Sequence, residues 1–189
     1  MFFKVVAPFY DHFMKLVDMD YSRRLVEWLQ PVRGLEVLDL GGGTGINAGE
    51  LIRAGARVTI ADYSGAMLAR ARDKKLEARI VEADAADLPL PNQSFDLVLV
   101  SDAWHHFRRQ GRAAAEMVRV LRPGGRICIV DFDRRAAGTR LLAVAERLLG
   151  EPSAFWSPEE LVTAFRSRQV QGEFSFIKPG QYIYTGVKE

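Results

Sequence analysis

The stretch "VLDLGGGTGINAG", Val37 to Gly49, decides the fold. Apolar residues run into a glycine-dense turn, and a helical pattern follows. Strand, tight turn and helix in that order open a βα unit. Two patterns overlap in the turn. Gly43-Thr44-Gly45-Ile46-Asn47-Ala48 satisfies G-x-G-x-x-A, the dinucleotide fingerprint. Read from Asp39, the same residues give D-x-G-x-G-x-G, a loop for a different ligand.

Working outward, the βα rhythm repeats. "INAGELIRAGA" is a helix that stops at Gly55, a residue suited to the position just past a helix end. "RVTIAD" is a second strand. Ser64 can cap the next helix, which places Met67, Leu68 and Ala71 on one face. "ARIVEA" is a third strand, and "SFDLVLVS" a fourth. The fourth is apolar almost throughout, as a strand covered on both faces should be. Residues about 109 to 121 form a helix with Met117, Val120 and Leu121 inward, ending at Pro123-Gly124-Gly125 before a fifth strand, "RICIVDF". Alternation of this kind implies a parallel sheet with helices on both faces. After two more helical stretches, at about 138 to 149 and 158 to 167, "QGEFSFI" and "QYIYTGV" flank Lys178-Pro179-Gly180 and read as a hairpin. The fold class expected is α/β, doubly wound and Rossmann-like, with an antiparallel C-terminal pair. Two amphipathic segments, "YDHFMKLVDM" and "SRRLVEWLQ", precede the first strand.

In open parallel sheets, ligands bind outside the carboxyl ends of the strands. Those ends carry Asp39 with Gly41, Gly42, Gly43 and Gly45, then Asp62, Asp84, Ser101-Asp102, and Asp131-Phe132-Asp133. So acidic a rim repels a pyrophosphate. It suits S-adenosylmethionine, which has an ammonium, a sulfonium, a ribose diol and an adenine amine, and no phosphate. Asp39 then serves the ammonium side, directly or by orienting the loop. Asp62 accepts the ribose hydroxyls, and Asp84 the adenine amine. An NAD-dependent oxidoreductase remains the alternative on Gly43 to Ala48 and Asp62 alone.

With these residues in place, the chain resembles the class I S-adenosylmethionine-dependent methyltransferases. "VLDLGGGTG", "VTIADYSGAMLARAR", "VEADAADLPLPNQSFDLVLVSDAWHHF" and "EMVRVLRPGGRICIVDF" are similar to that family's successive motifs, over about Leu35 to Phe132. The resemblance implies a seven-stranded sheet with a reversed last strand. It also implies that Ala85 offers its N–H to the adenine, that Tyr63 and Met67 sandwich that ring, and that Ser101 meets the methionine end. "APFYDHF" is similar to the N-terminal segment of the ubiquinone/menaquinone-type enzymes, which implies that Tyr10 closes over the cofactor. The ending "FIKPGQYIYTGVK" resembles that group's last hairpin. "SDAWHHF" departs from the glycine–arginine–asparagine pattern of the quinone enzymes, so the acceptor is open among quinol-like, phenolic and lipid-like small molecules.

Methyl transfer is an in-line displacement at an activated carbon, and alignment alone can supply roughly 7–11 kcal/mol. A base helps a hydroxyl acceptor. Asp102, His105 and His106, just beyond the fourth strand, are the candidates. Trp104 lines the acceptor pocket or packs on the following helix. The expected substrate lid is the N-terminal helices, residues 1–30, with about 134 to 160, carrying Phe155 and Trp156. Residues 35–133 form the cofactor core, 134–170 a helical lid or insert and 171–188 the hairpin.

Composition excludes several classes. The chain has 189 residues, 48% of them apolar, so one domain can bury a core unaided. Its 26 basic and 24 acidic side chains leave a net charge of +2, too little to imply nucleic acid or a membrane surface. No N-P-P-Y motif follows the fourth strand. Arginines cluster from Arg108 to Arg140, a pattern more often solvated helix surface than a phosphate site. Cys128 is the single cysteine and reads as a small core residue, which fits a reducing compartment. Three histidines and one cysteine show no zinc-like spacing, so no metal is expected. With no signal peptide and no apolar run long enough to span a bilayer, the expectation is a cytoplasmic protein, as monomer or homodimer. A non-catalytic module that holds the cofactor and acts through a partner is the alternative from another class.

Overall fold

The computed structural model describes Ala7 and residues 10–12, 22–150 and 153–189. Tyr10, Asp11 and His12 are helical, while the rest of the "YDHFMKLVDM" segment lies outside the described residues.

Seven strands form one sheet: β1 (Glu36–Leu40), β2 (Arg57–Asp62), β3 (Ala78–Glu82), β4 (Phe95–Ser101), β5 (Leu121–Phe132), β6 (Val170–Lys178) and β7 (Gln181–Lys188). Their order is β3-β2-β1-β4-β5-β7-β6. The first five run parallel, and β7 is antiparallel to both β5 and β6. The doubly wound sheet with a reversed last strand is therefore present, and the order reverses between β1 and β4, where a ligand crevice is expected.

Strand alternation sends side chains to two cores. From β1 and β4, Leu38, Leu40, Val98 and Val100 enter one, and Val37, Leu97 and Leu99 enter the other. α4 (Gln110–Val120) and α6 (Pro158–Arg166) cover the first face through Met117, Leu161 and Phe165. α1 (Ser22–Leu29), α2 (Ile46–Arg53) and α3 (Gly65–Asp73) cover the second through Leu25, Leu51 and Leu68. Cys128 belongs to the second core, and burial pushes its thiol up to about 12, so it is inert packing.

Three expectations need adjusting. The fifth strand begins at Leu121, because Phe95 already pairs with it; the register then slips, and Arg122 to Gly125 bulge out before Arg126 pairs with Leu97. α1 and α6, expected to belong to lids, bury their apolar faces in the two cores. α5 (Ala137–Leu148) differs: Thr139 is its sole buried residue, and Leu141, Val144 and Leu148 are exposed.

Candidate cofactor and acceptor site

The turn after β1 is shaped by close approaches. Gly41 has φ +73°, and a Cβ there would stand 2.6 Å from that of Ala103. A Cβ on Gly42 would meet the Asp39 carboxyl at 2.7 Å. Only glycine fits the first conformation without strain and the second without displacing Asp39. The loop is then tied to β2: Gly41 N–H donates to the Ala61 carbonyl at 2.7 Å, and Gly43 N–H to Asp62 Oδ2 at 2.9 Å. Ser64 N–H holds Asp62 Oδ1 at 2.7 Å, so the carboxylate is aimed by two backbone amides. Burial raises the Asp62 pKa, and those amides oppose the rise.

Asp39 is fully buried beneath Gly42, and neither of its oxygens has a well-formed hydrogen bond. Burial, then the charge of Asp62, raises its pKa to about 7 against a weak pull from the Ala48 amide. A cation above the loop would draw off that proton. Asp39 is not among the residues lining the cleft, which favours loop orientation over direct contact among its two expected roles.

A single cleft of about 960 Å³ runs along the strand ends. It is lined by Gly41, Gly42, Gly43, Asp62, Tyr63, Met67, Asp84 and Ala85, and by Tyr10, Ser101, Asp102 and His106. Gly45 lies behind the wall at φ +76°, starting α2. Among the strand-end acids, Asp131 and Asp133 turn inward instead, toward His105 and Arg135. Asp84 carries a partner that the rim pattern omits: Arg109 donates to its Oδ2 at 2.9 Å. The Ala86 amide and this guanidinium hold the Asp84 carboxyl below its usual range. Arg108 lies over the exposed Tyr63 ring at 5.7 Å. Several other arginines of the cluster are also engaged, with Arg119 on Glu116 and the Leu88 and Leu90 carbonyls, and Arg122 on Asp96. These arginines form structural ties.

Sequence reasoning missed two groups. Glu82 lines the cleft next to Gly65. Asp11 binds Lys74 Nζ at 2.5 Å and accepts from the Thr44 hydroxyl. This clamp fixes the Tyr10 helix to the glycine turn. Burial and the charges of Asp102 and Asp62 push the Tyr10 phenol up, so it stays a hydrogen-bond donor.

Beyond β4 the chain turns at Asp102, φ +50°, which accepts from Gln181 Nε2 at 3.0 Å. Trp104 and His105 are buried behind the wall. Trp104 packs on Trp156 at 5.3 Å, so both belong to the core rather than to a lid. His105 is sandwiched: Phe155 stacks on it at 4.3 Å, and Asp131 takes its Nδ1 at 2.7 Å and its backbone N–H at 2.9 Å. Only His106 of the pair reaches the cleft; burial and the adjacent His105 depress its pKa to about 3, so it is neutral. Glu146 of α5 stands within 3.9 Å of both imidazoles, a side-chain cluster that spacing along the chain does not reveal.

The family described as "Methyltransferase domain" matches residues 38–129. A demethylmenaquinone methyltransferase of Renibacterium salmoninarum is 30% identical over 178 residues, covering 86% of this chain and 75% of that protein. The chain belongs to the class I S-adenosylmethionine-dependent methyltransferases. A Thermus thermophilus demethylmenaquinone methyltransferase is 38% identical over 140 residues, 69% of this chain, and the match spans slightly less than two thirds of that protein, 64%. The fold matches a Thermotoga maritima methyltransferase with a TM-score of 0.82 at 21% identity, covering 100% of this chain and 99% of that one. It also matches a chain from the complex between the Haloferax volcanii Trm112 methyltransferase activator and a methyltransferase, with a TM-score of 0.83 at 21% identity and 98% and 96% coverage.

The family is named for S-adenosylmethionine, and the oxidoreductase reading of the glycine turn is set aside. The residues present fit that cofactor. Asp39 is a buried carboxyl without a well-formed hydrogen bond under the loop, Asp62 is pre-aimed, and the glycines leave a cradle that side chains would fill. Among the described residues, no helix is long and apolar enough to cross a membrane.

Proposed function

We propose that this methyltransferase acts on a small hydroxylated ring, of the quinol or phenol class, bound at the Tyr10, Asp102 and His106 end of the cleft. The observation that carries the reading is the continuity of the cleft, which joins Asp62, Tyr63 and Met67 to that end in one space. A volume of about 960 Å³ suits a cofactor and a small acceptor together. The names of the demethylmenaquinone relatives supply the acceptor class.

When bound, S-adenosylmethionine supplies an activated methyl carbon. Asp62 accepts the ribose hydroxyls, Tyr63 and Met67 flank the adenine, and Asp84 and Ala85 meet its edge. Ser101 meets the methionine end, and the Tyr10 hydroxyl donates from above. The His106 imidazole, neutral at ordinary pH, accepts a hydrogen bond from the acceptor's hydroxyl and orients it, with Asp102 beside it. His105 does not line the cleft; it positions His106 and is itself positioned by Asp131.

The test is a methyl-transfer screen with labelled cofactor over quinols, catechols, phenols, amines and thiols. Turnover confined to hydroxylated rings is expected. Turnover confined to amines or thiols would overturn the acceptor class. Tight cofactor binding with no turnover on any acceptor would favour a module acting through a partner.

A further inference from the structure

His105, His106 and Glu146 bring two imidazoles and a carboxylate together beside the cleft. His105 Nε2 and His106 Nε2 lie 3.8 and 3.9 Å from the same Glu146 Oε1. Both distances are too long for hydrogen bonds. They are a few tenths of an ångström wider than the about 3.4 Å expected between two ligands of one tetrahedral ion at about 2.1 Å. One ligand atom from each of the three residues lies within 4.8 Å of the others.

The surroundings are those of a metal site. Asp131 Oδ1 lies 2.7 Å from His105 Nδ1, the carboxylate–histidine pairing that orients a ligating imidazole and directs Nε2 to the cluster. Asp131 is itself held by the His105 and Phe132 amides at 2.9 and 2.7 Å. Ser153 Oγ donates to Glu146 Oε2, leaving Oε1 turned to the imidazoles, and lies 3.5 Å from His106 Nδ1. Phe155 and Phe132 flank His105 with apolar surface. Two imidazoles and a carboxylate, backed by a carboxylate–histidine pair, make the donor set of zinc and non-haem iron sites with an open position.

We propose that His105, His106 and Glu146 bind one divalent ion of the zinc, cobalt(II) or iron(II) kind in the wall of the cleft. His106 lines that cleft, so the ion sits where it can hold an oxygen of the acceptor. In the ion-bound protein His106 is a ligand, and the ion would lower the pKa of the oxygen it holds. Ion binding stands or falls apart from the choice of acceptor.

The test uses the full, tag-free chain, stripped with a chelator and titrated with cobalt(II). One equivalent should produce the visible d–d bands of a four- or five-coordinate site, and zinc should abolish them. Glu146→Gln and His106→Ala should each weaken binding at least about tenfold, and Asp131→Asn about 10–100-fold through the orientation of His105. His12→Ala, an exposed histidine outside the cluster, should change nothing. Circular dichroism checks that each variant is folded, and Glu146→Gln, the most conservative, decides if His106→Ala is not. Absence of the bands in the wild-type chain, or an unchanged titration in folded Glu146→Gln, would overturn the proposal.

Discussion

The two ends of the cleft, proposed to hold the methyl donor and the acceptor, are built by different means. The donor end is local and made of backbone: the glycine turn, the Gly43 and Ser64 amides on Asp62, and the capped start of α3 fall within residues 39–67. The acceptor end is made of side chains brought from far apart. Asp131 meets His105, Ala154 N–H donates to the His105 carbonyl at 2.8 Å, Gln110 holds the Ala154 carbonyl at 2.7 Å, and Gln181 reaches Asp102. Backbone positioning keeps one donor site wherever the turn is kept. Side-chain assembly lets the acceptor site vary with each contributing residue, which is how one fold serves many acceptors.

The largest expected effect tests the long-range end. Asp131→Ala removes the acceptor of three hydrogen bonds and leaves a buried imidazole unpaired. It should cost about 3–5 kcal/mol of stability by chemical denaturation. Cofactor affinity, by calorimetry, should stay within about threefold; a collapse of that affinity would show that the two ends are one unit. Next, Asp62→Ala should weaken S-adenosylmethionine at least about 100-fold, since a buried acceptor of two hydroxyls is lost. Its stability should change far less, and unchanged affinity would refute the ribose role.

Asp39→Asn sharpens the contrast through pH. The Asp39 pKa in the folded chain is raised to about 7 from 3.8, so the folded state holds a proton that the unfolded state has released. Its contribution to stability falls as pH rises from about 4 to about 7, then stays flat. The stability of the Asn variant relative to wild type should therefore improve over that window, by up to about 4 kcal/mol. A pH-independent difference would sink the buried-acid account. The smallest effect is Tyr63→Ala, on an exposed ring. Cofactor affinity should fall about three- to tenfold, from the loss of one stacking face, with no change in melting temperature.

The same division explains what could be read from sequence. Strand alternation, the glycine turn, Asp62 and the capping Ser64 are set by neighbours in the chain, so periodicity and spacing expose them. The acceptor end depends on contacts across 26 to 79 positions, from His105–Asp131 to Asp102–Gln181, and no local pattern encodes those. Hence Trp104, Phe155 and Trp156 looked equally suited to a pocket or a core, and Glu146 was invisible beside "WHH". The Asp84–Arg109 pair was hidden for the same reason: a strand-end acid is legible, but the cation that folds back onto it is not.

The place of β7 has a consequence for how the protein is made. It is the last strand in the described chain, yet it lies inside the sheet, between β5 and β6. While a ribosome is still adding residues 170–188, the 12-residue β5 presents an open edge, and Gln181 has not yet reached Asp102. The donor half has all its strands by then, so it can close first, and the acceptor half is completed only when β7 slots in. Nascent chains stalled before Gln181 should resist protease around residues 36–101 and be cut readily after Phe132; uniform cleavage of both halves would show that neither closes alone.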